Sequence, residues 1–563
     1  MKTRYIVPLL LFCLFACMAC EDDKTEMPRL FRPSFIASSC FAESNTVTLA
    51  WRTSGEATSY TVELSQDATF QSEKFETQTV EHGKCTFTNL RYETKFYARV
   101  RANNESLAIT SNWTEMGSSI STLSRVVPKI LHTPQAEEIG ENSVEIRWVV
   151  SEQNPVDGVV VWQEGTMEEQ HFTLDDATSG SYTITGLSPR TAYCVALTNS
   201  AAPEGAEKYN QRRFTTGGMP AGAVLVEDGP DLVSKIEASM ADDTKSELIF
   251  QLKNGVDYYL STSGKPGENT KNINVTKNIA LLANPGERPT IYIRKAGFVV
   301  QCEIDYFMID NVNIEETIPE GGATAGSSSS LLTIKQGDVD FVIDRFEITN
   351  SDIFLPTPTV LMWNIKNATK VATINHIRVD NCLVRGSLDT KNAKAEYGFV
   401  HALNAGCNVW KDISITNCTF YERYVSPGIL GAPTSAATIT SDNKVLVSNC
   451  TFYNWDTKES ANPVIGDFSK LTTPLNLSIN NCIFSSSNGP VVKLGDSKVN
   501  DKGNYCTVDF EKAEGAGLTL VSLDASSEEL YKNVEEFDFT IMDTESVVYQ
   551  AEYGDPRWIK VFE

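Results

Sequence analysis

Cysteine and histidine are the side chains best able to ligate a metal or attack a substrate in this 563-residue sequence, and their spacing points elsewhere. Of thirteen cysteines, Cys13, Cys17 and Cys20 fall at the start, and the ten that follow contain no C-x-x-C pair of the kind that builds a zinc site. Four of them, Cys382, Cys418, Cys450 and Cys482, each follow an asparagine, and the asparagines Asn381, Asn417, Asn449 and Asn481 are 36, 32 and 32 residues apart. Thiols repeated with that period line up in a row if the chain coils once per repeat, and a row does not surround an ion tetrahedrally. The five histidines are scattered. Cys40 and Cys85 lie in one early segment and could pair in a compartment that permits disulfides, but the sequence leaves their pairing open.

The element that would position such a row is legible in the phrases themselves, Val379–Val384, Ile415–Phe420, Val447–Phe452 and Ile479–Phe484, with weaker copies at Met308–Ile314 and Val342–Ile348. Each places one polar residue between two short β-prone runs, as in a parallel β-helix whose chain bends sharply once per coil, and asparagine suits the bend. Neighbouring coils lie about 4.7–4.9 Å apart, close enough for asparagine amides to hydrogen-bond in a stack. The cysteine after each asparagine would turn inward and fill the interior with Phe or Leu. Leucine-rich repeats are excluded by the missing leucine spacing and helix-length segments.

The N-terminus carries a different signal. Lys2 and Arg4 precede an apolar run from Ile6 to Ala16, the pattern of a signal peptide, and the run is shorter than the roughly 20 residues that span a bilayer. Ala19-Cys20-Glu21-Asp22-Asp23 resembles a lipoprotein cleavage box followed by the acidic tag of surface-exported proteins in Gram-negative glycan-foraging bacteria, which implies lipid attachment at Cys20. Leu14-Phe15-Ala16-Cys17 is a competing box, and the acidic run directly after Cys20 favours the later one. The expected layout is a signal peptide over 1–19, an acidic tether over 20–27 and sandwich domains over 28–123 and 124–217. A β-helix over 223–505 and its cap segment over 506–563 complete it.

The sandwich segments alternate apolar and polar residues in short runs, such as Val47–Trp51 and Tyr60–Leu64, and period two means half-buried strands. Phe87–Val100 resembles the leucine and aromatic corner of fibronectin type III domains, and Val144–Trp148 with Tyr182–Tyr193 repeats the plan about 100 residues later. Trp51 and Trp148 occupy the core tryptophan positions of such sandwiches. The fold class is therefore all-β: two fibronectin type III-like sandwiches followed by a right-handed parallel β-helix.

From about residue 223 the chain resembles the pectate-lyase-like β-helix family, through Leu248–Leu252, Gly255–Leu260, Ile273–Ala283 and Arg288–Ile293. The tail, Phe537–Ile541 and Gly554–Trp558, resembles that of lipoproteins from polysaccharide-utilisation systems. The resemblance implies that any ligand meets the outer face of the strand after each long turn, here Leu331–Lys335, Val360–Lys366, Tyr397–Asn404, Pro463–Lys470 and Val491–Asp496. That face offers Trp363, Lys366, His401, Asn404, Asp467, Lys493 and Asp496 as glycan-binding candidates, an aromatic plane with polar anchors. The family's lyases hold calcium on acidic side chains and use arginine or lysine as base, whereas hydrolases on this scaffold cluster aspartates. This sequence has no Trp-Ile-Asp-His, Arg-x-Pro-x-x-Arg, Asn-Thr-Asp or Gly-His-Gly phrase, and Val409-Trp410-Lys411-Asp412 is the nearest approach.

Forty-eight basic against 73 acidic residues give a net charge of −25, which repels nucleic acid and makes a neutral glycan the easier ligand. The expectation is an outer-membrane, surface-facing lipoprotein that binds polysaccharide without a cofactor, with glycan transporter proteins of the outer membrane as partners. The enzymatic rival is a calcium-dependent polysaccharide lyase using Asp467 or Asp496 with Lys366 or Lys493. A structural or adhesive surface protein is the third reading.

Overall fold

The structure, a computed structural model, describes residues 29–562 apart from segments 72–74, 124–128, 152–155, 203–206, 264–269, 294–295, 317–329, 356–358, 366–368, 387–397, 403–407, 424–427, 432–439, 456–462, 470, 472 and 512–514. Cys20, Lys366 and Asn404 thus lie outside the described residues.

The first sandwich packs a sheet containing Thr46–Arg52 and Lys84–Phe87 against one ordered Ile120–Ser121, Lys95–Asn104, Ser59–Ser65 and Phe75–Val80. Trp51 is buried between them and its ring lies 5.6 Å from Tyr60. The second sandwich repeats the arrangement, with Ser143–Arg147 paired to Ser181–Thr185 over a sheet ordered Glu169–Thr173, Gly158–Gln163, Ala192–Thr198 and Lys208–Thr215. Trp148 is buried there too, and the hydroxyl of Tyr193 accepts the Ser188 N–H (2.9 Å), locking the corner that the sequence signals. Cys40 and Cys85 are both free thiols; burial, and then the neighbouring Cys40, push Cys85 up to about 12.

Three parallel sheets follow, of ten, ten and eight strands, and eight full coils contribute one strand to each. One coil runs Ile304–Asp310, Asn313–Glu316 and Ser330–Ile334, and every strand pairs in register with its counterpart one coil on. Inward rows stack like on like, for example Phe420, Phe452 and Phe484, with successive ring centroids 5.5 and 4.9 Å apart. This continuous apolar column is the core that holds the coils together.

The bend between first and second sheets explains the repeated phrase. Asn311, Asn350, Asn381, Asn417, Asn449 and Asn481 all have φ between 52° and 59°, the left-handed region that asparagine tolerates best after glycine. Each donates its backbone N–H to the next coil, as Asn417 does to Ser448 O (3.0 Å). The bend after Val342–Ile348 falls at Asn350, inside a different frame from the one that the weak copy suggests, because Val342–Ile348 lies within the strand Phe341–Thr349.

The inward cysteines do more than fill space. Each thiol donates to the carbonyl two residues earlier, from 3.0 Å at Cys418 to 3.3 Å at Cys382, closing the bend from inside. Cys418 Sγ also accepts the Cys382 N–H, a role that Ser351 and Asn504 play for Val312 and Cys482. Cysteine suits the position because it is small and both donates and accepts, whereas Val312, after the first asparagine, only fills space.

The C-terminal segment departs from an end cap. Strands Tyr505–Cys506 and Val521–Ser522 continue the second sheet, but the hairpin Tyr531–Asn533 and Asp538–Ile541 and the residues to Trp558 run back along the outside of that sheet. Phe539 meets Tyr421, Tyr453 and Trp558, forming an apolar cluster separate from the coil interior. The outward aromatics of the coils thus need a cover, which this strap provides. Gly554, at φ 81°, sits where a Cβ would lie 2.8 Å from Ile483 and Thr451, so the strap seats only with glycine there.

Candidate functional site

The third sheet brings part of the predicted set together. Thr333 pairs with Met362, Met362 with His401, His401 with Gly431, and further on Asp467 with Lys493, all on one outward row. Trp363 is not on that row. It pairs with Ile334, is 1% exposed, and donates its indole N–H to Ala372 O (3.3 Å). The correction has a simple cause: successive strand residues face opposite ways, and a frame shifted by one residue moves the ring from the ligand face into the core.

His401 accepts the Gly398 N–H at Nδ1 (3.2 Å), and a Cβ on Gly431 would collide with the ring. Burial first, and then the Arg423 cation, lower its pKa to about 4, so it is a neutral imidazole at pH 7. Asp467 accepts the Ser469 N–H (3.0 Å), and its other oxygen lies 4.0 Å from Lys493 Nζ, both side chains about one third exposed. Asp496 is exposed, three residues after Lys493 in the chain. Asp412 belongs to the first sheet, where it pairs with His376 (3.1 Å) at the surface.

A second polar constellation, missed in the sequence, lies where the second sandwich meets the asparagine bend. The residue before each asparagine is Asp310, Thr349, Asp380, Thr416, Ser448 or Asn480. At the two aspartate positions the carboxylate faces the sandwich. Asp310 accepts Arg190 Nη2 (2.7 Å), and Asp380 accepts Arg213 Nη2 (2.9 Å) and Arg378 (3.0 Å). These carboxylates also break the expected uniform amide stack. Asn381 donates to Asn350 (2.7 Å) and Asn449 to Asn417 (3.4 Å), but Asn350 and Asn417 turn their amides to Asp310 and Asp380 (2.7 and 2.8 Å). The ionised acceptors outcompete a neutral amide oxygen. The strap joins the same place: Glu552 pairs with Arg212 (3.2 Å) and Lys129 (3.0 Å), and Arg557 donates to Asn381 (2.9 Å). The sequence signal for all this is an aspartate in the first and third copies of an otherwise neutral position.

The side chain of Asp380 is 4% exposed. Burial works to raise its pKa, but Arg213, Thr416 and Arg378 outweigh it and hold the carboxyl below its ordinary value. A group depressed in the folded state stabilises that state above its unfolded pKa of about 3.9 and loses this contribution as pH falls through the lower folded value. Docking of the second sandwich on the coils should therefore persist at pH 5 and loosen below about pH 4. Small-angle scattering across that range should show expansion, and an Asp380→Asn chain should lack the step.

Residues 32–115 match the fibronectin type III domain family, and residues 445–558 match a family described as "Domain of unknown function (DUF5123)". The latter span holds the last coils together with the strap and ends at Trp558. Among solved structures, the chain is similar to the FN1–FN3 domains of chicken CNTN1, at 16% identity over 34% of this chain and 69% of that one, with a TM-score of 0.16. It is also similar to a two-domain fibronectin type III segment of chicken tenascin, at 17% identity over 33% of this chain and 100% of that one, with a TM-score of 0.19. No curated protein matches. The first sandwich is a fibronectin type III domain, a module suggestive of a structural or adhesive surface protein, and it precedes a later domain of long parallel sheets.

Proposed function

We propose that this chain is an exported lipoprotein, attached through Cys20, whose two sandwiches hold a pectate-lyase-like β-helix away from the outer membrane to bind polysaccharide for uptake. The observation that carries the reading is the outward row of the third sheet, where Asp467 and Lys493 lie on successive coils and His401 lies two coils before Asp467. The coil spacing, about 4.8 Å, is close to the length of one sugar unit, so Asp467 and Lys493 would meet successive residues of one polymer and His401 a residue two units from Asp467. A neutral His401 suits this role, since with Nδ1 accepting the Gly398 N–H its other ring nitrogen carries the proton as an uncharged donor.

Retention of the full chain in native gels cast with neutral or pectic polysaccharide tests the reading. Replacing both Asp467 and Lys493 by alanine should weaken retention about tenfold, the scale of one lost charged hydrogen bond. Unchanged mobility in every polymer would refute binding on this face. The lyase alternative has its own support in the approach of Asp467 to Lys493, and it predicts calcium-dependent absorbance from unsaturated uronate in the same mixtures. The structural or adhesive alternative, supported by the fibronectin type III domain, predicts neither effect.

A further inference from the structure

The second sandwich, the asparagine bend and the strap enclose a cavity of about 540 Å3, within the roughly 300–1,000 Å3 typical of small-molecule sites. Its walls come from three separate parts of the chain: Ala192 and Phe214 from the sandwich, Met308 and Asn449 from the coils, and Pro556 from the strap. We propose that this cavity is a binding site for a short, uncharged oligosaccharide, distinct from the outward row of the third sheet.

The charge balance selects the ligand class. Five arginines line the cavity, and so do five carboxylates. The pairs Arg190–Asp310, Arg213–Asp380 and Arg212–Glu552 are already formed across it (2.7, 2.9 and 3.2 Å). No cationic excess remains for an anion, which would also face the carboxylates at short range. A hydroxyl, in contrast, donates to a carboxylate and accepts from a guanidinium at the same time, so vicinal hydroxyls fit an alternating wall. Accessible groups of both kinds stand on this wall: Arg378 and Glu164 line the cavity with side chains 39% and 35% exposed. Phe214, Met308 and Pro556 supply the apolar surface on which the carbon faces of a sugar ring would lie.

Calorimetric titration of the full chain with xylotriose, cellotriose and mannotriose, and with trigalacturonate as the charged comparison, tests the site. At least one neutral trisaccharide should bind, and Ala192→Phe, which fills the cavity from the sandwich side without removing an ion pair, should weaken it at least about tenfold. If that variant does not fold, Met308→Trp fills the cavity from the coil side. The Asp467 and Lys493 double variant should bind the trisaccharide as the unaltered chain does, so the cavity and the third-sheet row fail separately. The proposal is overturned if no neutral trisaccharide binds at millimolar concentration, if trigalacturonate binds in preference, or if binding survives in the folded cavity-filling variant.

Discussion

Replacing Asp380 by alanine should lower the unfolding free energy by about 3 kcal/mol and release the second sandwich from the β-helix. The figure is the lower end of the roughly 3–5 kcal/mol for breaking a buried ion pair from one side. It sits there because Arg213 is 34% exposed and keeps Glu164 at 2.6 Å when its main partner is gone. What the variant loses is the common acceptor of two arginines, the Thr416 hydroxyl (2.6 Å) and the Asn417 amide (2.8 Å). Arg213→Ala should cost less, since Asp380 keeps Arg378, Thr416 and Asn417. Urea unfolding followed by tryptophan fluorescence gives the order, and small-angle scattering reports the docking. A loss below about 1 kcal/mol, the scale of an exposed pair, with unchanged scattering would make the contact incidental.

Asp555→Ala should have an effect of similar or greater size at the strap. Asp555 is 1% exposed; its carboxylate accepts the Thr419 hydroxyl (2.8 Å) and the Arg557 N–H (3.0 Å) and pairs with the Arg557 guanidinium (2.7 Å). Its own N–H donates to Thr451 (3.0 Å). Arg557, with its side chain 18% exposed, would be left facing the coils without its carboxylate, at a cost of about 3–5 kcal/mol. Because the aromatic cluster under the strap is separate from the coil interior, the loss should be local: hydrogen exchange should quicken in Tyr531–Asn533 and Asp538–Ile541 while the coil strands stay protected. Asp555→Asn, which retains an acceptor for Thr419, should exchange at an intermediate rate. Unaltered protection of the hairpin in the alanine variant would show that the aromatic cluster alone seats the strap.

These two variants probe what the sequence left unspoken. The periodic features were readable because periodicity is local: alternation marks the sandwich strands, and one asparagine per coil marks the bend, since few residues accept φ near +54°. The third-sheet face was also readable to within one residue. That one residue decided Trp363, because a strand frame has no slack and its neighbour Met362 takes the outward place.

The sequence by itself determined the all-β architecture, the coil period and the inward row of small thiols, each the result of a pattern repeated along the chain. Only the tertiary structure decided that the tail straps the side of the coils, that Asp310 and Asp380 anchor the second sandwich, and that a cavity lies between these parts. The physical reason is that Arg190 and Asp310 are 120 residues apart and Asp555 and Thr419 are 136 apart. No local propensity encodes such pairs, and an isolated aspartate in the sequence reads the same whether it faces water or a buried arginine.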